Sequence, residues 1–449
     1  MTVRPVGPTA IFDPATYADG VPYELFAQLR QQDPVCWIEE PPVLGWPAGA
    51  GFWAVFGYDD VRRVLLDDQT FSSWLGATQI RDPDTAEDLA FVRSMMLNMD
   101  RPDHTRLRRL LIGAFTPRAI THLENQIRRN AAALIEAAAG EPEVDFVSVI
   151  SDLPVLTLAD VLGMPHQDRF LMYDWANRII GYQDPDYAGR STVQPEALTD
   201  MGRRALEFLP DLRPRPDGRP RNPRSPGMLV DMFEYARLLL EHKRADPGDD
   251  VMSILLRSTD EGGVSREEFQ NLFFLFVVAG NETLRNGIPG GMLSLLQHPD
   301  QVQRLRADPD LLGTGIEEML RFSPPVIHFR RTARVDVEIG GQRIAAGEKV
   351  VVYFASANRD PRAFADPDVF DVARSPNKHL SFGFGPHLCL GAHLARVQMR
   401  AVFAEVLGRF DSFEAAGNPV RLISNFQNGL KSLPIRWSAR VPDGGSVVS

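Results

Sequence analysis

Hydrophobic and polar positions change their period several times along this chain, and the changes mark its elements. Val35-Cys36-Trp37-Ile38 and Phe52-Trp53-Ala54-Val55-Phe56 are aromatic and β-branched, which predicts two strands around a proline-rich loop, Pro41 to Pro47. A short helix precedes them at Tyr23 to Asp33, and from Tyr58 to about Leu256 the spacing is largely helical. Ser265-Arg266-Glu267-Glu268 has the form of a capping box and opens a long helix through Phe273, Val277 and Val278 to Leu296. That helix is apolar nearly all round, which predicts burial in the middle of the protein. Gln303 to Phe322 supplies two shorter helices, stopped by Pro324-Pro325.

Alternation then replaces helical spacing. Val335 and Val337 lead through a Gly340-Gly341 turn to Ile344, Val350, Val351 and Tyr353, a hairpin-rich sheet. Asp360 to Pro376 is irregular. Leu394, Val397, Ala401, Val402 and Phe410 form the buried stripe of a helix from Leu390 to Phe410. A last hairpin, Leu422 to Ile435, is expected to turn at Asn428-Gly429. The class is therefore mainly α with small β-sheets, in one domain covering 1–449. Its β-rich parts are about 35–57, 333–356 and 420–437, its helical parts about 58–323 and 390–410, and its loose tails 1–10 and 441–449.

One stretch breaks the helical region. Leu212 to Gly227 interleaves Pro214, Pro216, Pro220, Pro223 and Pro226 with Arg213, Arg215, Arg219, Arg221 and Arg224. No helix survives that proline density, so 212–227 is expected to be a flexible loop, serving as linker or lid.

Composition narrows the function. The 449 residues are 44% hydrophobic and 24% charged, the balance of a globular protein with a large core. A net charge of -11 makes the whole molecule a poor nucleic-acid binder. No stretch offers the ~20 apolar residues of a membrane span. Two cysteines are too few for an iron–sulfur cluster and suit a reduced, cytoplasmic setting.

Four features carry chemistry. In Ser381-Phe382-Gly383-Phe384-Gly385-Pro386-His387-Leu388-Cys389-Leu390-Gly391, glycines hold a cysteine on a close-turning loop before a helix, where a thiolate is favoured. Taken alone, Cys389 is also compatible with an inert buried thiol. Ala279-Gly280-Asn281-Glu282-Thr283 lies mid-way along the most apolar helix. Small residues there admit something bulky, and a carboxylate beside a hydroxyl suits proton delivery or a polar kink with buried water. Glu318 and Arg321 are spaced for an ion pair on one helix face, and Val326 to Arg331 is a mixed apolar and basic stretch leading into the sheet. His104 and Arg108, four apart, share a face of the Asp103 to Phe115 helix.

This set, in this order, resembles the soluble bacterial cytochrome P-450 monooxygenases. The motifs are Phe-x-x-Gly-x-x-x-Cys-x-Gly at Phe382, Gly385, Cys389 and Gly391, Glu-x-x-Arg at Glu318 and Arg321, and Ala-Gly-x-Glu-Thr upstream of both. The resemblance implies the cytochrome P-450 fold and haem b, with Cys389 as thiolate ligand of the iron. It implies that Phe382 and Gly383 pack beside that ligand with Gly391, and that Ala279 and Gly280 face the haem. It places His104, Arg108, Arg331 and His387 at the propionates, and Glu282 and Thr283 as the acid–alcohol pair that relays protons. Glu318, Arg321 and Arg374 become a structural triad. Met96, Leu97, Leu275, Val278, Ala279, Val326, Ile327, Phe329 and Phe426 become substrate contacts, apolar and uncharged.

The phrases Ala-Gly-Asn-Glu-Thr, His-Phe-Arg-Arg-Thr-Ala and Ser-Asn-Phe-x-Asn-Gly-Leu are most similar to the branch oxidising terpenoids, sterol side chains and methyl-branched lipids. The implied partners are dioxygen and a ferredoxin with its ferredoxin reductase, with Arg106, Arg109, Arg396 and Arg400 as a basic docking face. Competing expectations are a monooxygenase of a secondary metabolite such as a polyketide, a peroxide-driven peroxygenase, and a non-catalytic haem sensor. The 212–227 segment departs from the family, which has a shorter connection there.

Overall fold

A computed structural model describes residues 7–187, 193–216, 218–257 and 262–440. The helix Arg266–Gln297 runs through its centre. It starts at the capping box: Glu268 N–H donates to Ser265 Oγ at 3.1 Å, and Ser265 N–H donates to Glu268 Oε2 at 2.8 Å. Its first half, with Phe269, Phe273 and Val277, packs into a cluster that includes Trp175, Tyr235 and Leu239. Its second half, with Leu284, Ile288 and Met292, packs into another that includes Ile135, Met319 and Phe403. Each half of the helix is thus buried in a core of its own, as its apolar composition requires. Each such side chain contributes roughly 1.5–3 kcal/mol on burial.

The main sheet has five strands in the order Val35–Ile38, Phe52–Val55, Lys349–Tyr353, His328–Ala333, Phe71–Ser72. Phe52–Val55 pairs with Lys349–Tyr353 in parallel, across most of the chain, and the other pairings are antiparallel. The Gly340-Gly341 turn closes the hairpin of Val337–Ile339 with Gln342–Ile344, both glycines having positive φ, 55° and 78°. Sheet structure begins at His328, ahead of the 333 boundary, because Val326 to Arg331 enters the sheet itself. Strands Phe71–Ser72 and Glu143–Asp145 interrupt the helical region.

Three further expectations are corrected. Asn428-Gly429 is not a hairpin tip: strand Val420–Arg421 pairs with Leu430–Ser432, and the eight residues between form the bend. Asn428 N–H is held by Pro325 O at 2.9 Å, and a Cβ on Gly429 would meet Asn286 Oδ1 at 2.3 Å. The chain end is not one hairpin either, since Pro434–Ala439 leaves for a sheet with Glu143–Asp145 and Phe410–Ala415. Nor is all of 1–10 loose: Pro8–Phe12 is a 3-10 turn with Ala10, Ile11 and Phe12 buried. Residues 1–6 and the 441–449 tail lie outside the described residues. The last long helix is Ala392–Arg409.

Candidate active site

Between the central helix, the Asp103–Ala114 helix and the Cys389 loop lies a cavity of about 420 Å³. Cys389 borders it, and the surface that the residue exposes belongs to this wall. The loop is shaped by its glycines. Gly383 and Gly385 sit at φ 73° and 72°, and a Cβ on Gly385 would come within 2.7 Å of Leu65 O. Cys389 N–H donates to Phe382 O at 2.9 Å, which folds the loop back on itself. Burial pushes the Cys389 thiol up, while the Gly391 backbone N–H and the charges of Arg108 and Arg396 pull it down. Burial prevails and the thiol stays above its ordinary value, but the N–H and the two cations are placed to offset that cost to its anion.

Beside this loop Arg108 and Arg331 bring positive charge to two histidines, with Asp68 and Asp100 the acids that act on the group. His104 and His387 face one another, ring centroids 4.0 Å apart. Burial, then Arg108 and Arg101, lowers His104 to about 4, and burial with Arg331 holds His387 well below its ordinary value. Arg331 is buried, donates Nη1 to Arg330 O at 2.9 Å, and has no carboxylate within ion-pair distance among the described residues. Burial lowers its guanidinium to about 10. Arg108 and both histidines line the cavity, while Arg331 sits immediately behind them. A buried arginine without an anion is costly, so this cluster is built to receive one.

On the facing helix, Thr283 lines the cavity and its hydroxyl donates to Ala279 O at 2.7 Å, four residues back. Glu282 does not line it. Its carboxylate is buried and takes Arg285 Nη1 at 3.1 Å, with Arg285 also reaching Asn177 at 3.3 Å and the Tyr187 hydroxyl at 3.3 Å. Gly280 lines the cavity but is small for another reason as well: a Cβ there would strike Leu158 Cδ2 at 2.7 Å.

Residues 228–438 match the family model described as Cytochrome P450. The steroid C26-monooxygenase of Rhodococcus jostii (strain RHA1) is 33% identical over 97% of this chain and 86% of its own length. The chain belongs to the cytochrome P450 family. The linalool 8-monooxygenase of Pseudomonas putida is 37% identical over 94% of this chain and 97% of its own. Among solved structures, Mycobacterium marinum cytochrome P450 CYP268A2 in complex with pseudoionone has TM-score 0.80 and 34% identity, covering 97% of this chain and all of that one. The protein is accordingly a cytochrome P450 monooxygenase, and its cofactor is haem b.

The P450 site fits that cofactor on its own geometry. A soft sulfur that takes the Gly391 N–H lies at one wall, and Arg331 and Arg108, beside His104 and His387, offer carboxylates a positive charge that no acid pairs with among the described residues. Gly383 and Gly391 keep side chains off the surface between; a Cβ on Gly391 would meet nothing nearer than Cys389 Sγ at 4.0 Å.

Behind the loop, Glu318 and Arg321 are fully buried and pair through two bonds of 2.7 Å. Arg374 Nε adds bonds of 3.1 Å to both Glu318 oxygens, and Asp371 N–H adds one of 2.9 Å. The two arginines also donate to the carbonyls of Asn358, Pro367, Val369, Ala365 and Asp366. Burial would raise the Glu318 carboxyl, yet Arg321 and the other donors hold it below its ordinary range. This network takes up the loose carbonyls of an irregular segment.

The apolar wall is drawn from distant segments: Met96 and Leu97, Leu275, Val278 and Ala279, Val326 and Phe329, and Phe426 from the final bend. Ile327 is a correction. It is fully buried with Phe26, Tyr353 and Val351 on the opposite side of the sheet, and its N–H is bound by Phe426 O at 2.9 Å. Ile327 precedes the His328–Ala333 strand, and its packing against Phe26 and Tyr353 takes its side chain away from the cavity that Phe329 lines. His328 borders the cavity instead, with neither ring nitrogen hydrogen-bonded. Phe12, Trp46 and Tyr182 also border it, without a motif to announce them. Asn222, Pro223 and Arg224 bring the proline-arginine segment into the wall; its run of arginines was the available signal.

The basic docking face is thinner than its sequence. Arg106 is taken by Glu268, and Arg396 by Glu317 at 2.6 and 2.8 Å. Arg400 is exposed. No helix among the described residues is long and apolar enough to cross a membrane.

Proposed function

We propose that this P450 hydroxylates an apolar small molecule of terpenoid, steroid or branched-lipid type, with electrons from a ferredoxin. The observation that carries this is the cavity itself, where aliphatic and aromatic side chains line one space together with Cys389 and Thr283. Relatives named for a steroid and for linalool support the substrate class. A ferredoxin as donor is supported by the two cysteines, too few for an internal cluster.

Bound haem supplies an iron centre that activates dioxygen for insertion into a C–H bond. Cys389 Sγ is its thiolate ligand, with the Gly391 N–H and Arg396 moderating the sulfur's charge. Arg331, Arg108, His104 and His387 hold the propionates. Thr283 Oγ1 accepts a hydrogen bond at the cavity wall, its own hydrogen committed to Ala279 O. Glu282 is the reserve behind it, and must leave Arg285 to serve the cavity. Glu318, Arg321 and Arg374 keep the loop's rear support in one conformation. Phe329, Phe426 and Val278 orient the substrate and exclude water.

The test compares Thr283→Ala with the parent enzyme under ferredoxin-supported turnover. Product per electron should fall ~10-fold or more while the thiolate-type spectrum of the reduced carbon monoxide complex persists. Unchanged coupling would remove Thr283 from the proton path. Equal turnover with hydrogen peroxide alone would favour the peroxygenase instead.

A further inference from the structure

The proline-arginine segment does more than close the cavity. Three of its arginines are held by carboxylates: Arg213 by Asp211 at 2.8 Å, Arg215 by Asp84 at 2.9 Å, and Arg221 by Asp211 at 3.6 Å. Arg224 differs. It lies in the cavity wall with Asn222 and Pro223, and among the described residues no carboxylate is within ion-pair distance of it. Its guanidinium carbon lies 5.9 Å from the centroid of the Tyr182 ring, which also borders the cavity. Burial depresses its guanidinium, with Tyr182 opposing.

The acids around this end of the cavity are already engaged. Asp84 is shared by Arg81 and Arg215, and Asp82 by Arg330 at 2.5 Å and Lys349 at 2.8 Å. Asp88 accepts from Asn222 Nδ2 at 3.3 Å. Arg81 is stacked over Trp46 at 3.1 Å and bound to Asp84, so it is not the free cation here. A positive group therefore faces a largely apolar cavity, whose other lining cation apart from Arg81 is Arg108, beside the two histidines near Cys389. The segment is also fixed from outside: Pro223 is buried, and Arg215 and Asn222 tie it to the Asp84–Asp88 stretch.

We propose that Arg224 binds a carboxylate at one end of the substrate, so that the hydrocarbon end is presented to the Cys389 side. This rests on the monooxygenase reading above and narrows it to acids: branched fatty acids or steroid side-chain acids rather than alcohols or hydrocarbons. Arginine suits the role because its planar fork grips a carboxylate through two charge-assisted bonds.

The experiment is titration of the haem-loaded enzyme at about pH 7.5, where carboxylic acids are ionised. Substrate-induced shift of the Soret band gives Kd for phytanic acid, lithocholic acid and the methyl ester of each. In at least one series the acid should bind ~10-fold or more tighter than its ester. Arg224→Ala should erase that gap by weakening the acid ~10-fold and leaving the ester within about twofold, and Arg224→Lys should restore part of it. Equal binding of acid and ester in both series overturns the proposal. So does an Arg224→Ala variant that weakens both alike. If neutral terpenoids shift the band and acids do not, Arg224 alone is misassigned. If no apolar molecule shifts it, the substrate class falls and the proposal with it.

Discussion

Behind the Cys389 loop and in front of it, buried polar groups are treated in opposite ways. Behind it, Glu318 is met by two arginines and a backbone N–H, and those arginines saturate five backbone carbonyls. In front of it, both nitrogens of His328 lack partners, and Arg331 and Arg224 lack acids among the described residues. A satisfied charge network tolerates no second arrangement, because each missing partner leaves a desolvated charge. An unsatisfied wall stores that cost until a ligand arrives. The rear of the site is built for one geometry, and the front is built to be completed.

The comparison breaks most directly at Glu318. Glu318→Ala strands Arg321 and Arg374, and should cost ~3–5 kcal/mol in chemical denaturation, with most haem incorporation lost. A loss under about 1 kcal/mol would mean the network is incidental to the fold.

Two residues joined by a backbone hydrogen bond, one in the core and one on the cavity wall, sharpen it. Ile327→Ala should cost ~2–4 kcal/mol of stability and leave Soret titrations unchanged, because its side chain lies in the core behind the sheet. Phe426→Ala, on the cavity wall, should weaken apolar ligands several-fold at a smaller stability loss. A swap of these two outcomes would reverse the assignment of core and wall.

Glu317 gives the smallest effect, near ~1 kcal/mol because the pair is partly exposed. Burial pushes its carboxyl up, but hydrogen bonds from Arg396 and His379 prevail and lower it to about 2. Between there and the ordinary value of 4.5 the unfolded chain binds more protons, so stability rises with pH in that window. The contribution is full above 4.5 and is lost as pH falls toward 2. Glu317→Gln should flatten the stability curve in that window and cost its full ~1 kcal/mol at neutral pH, with the difference vanishing toward pH 2.

Much of the site was legible because its chemistry is local in sequence. The Cys389 loop, the Ala279 to Thr283 stretch and the Glu318–Arg321 pair each lie within one turn or one helix, where spacing fixes what side chains meet. The capping box at Ser265 and the Gly340-Gly341 turn were readable for the same reason. Ile327 was misplaced because the expected list followed apolarity, whereas packing against Phe26 and Tyr353, far off in sequence, takes its side chain into the core. The expected turn at Asn428-Gly429 failed because those residues are committed to Pro325 and to the close approach of Asn286. Local turn preference lost to a tertiary contact.

By itself the sequence determined the family, the glycine-shaped Cys389 loop, the central helix and the mainly helical class, since each depends on residue type at short spacing. Only the tertiary structure decided which wall each residue joins. It set Phe52–Val55 beside Lys349–Tyr353, turned Glu282 away from the cavity toward Arg285, and paired Arg106 and Arg396 with acids. It also left Arg224 facing an apolar space with no acid of its own among the described residues. Those outcomes depend on which distant segments pack together, and no short-range pattern encodes the absence of a counter-ion.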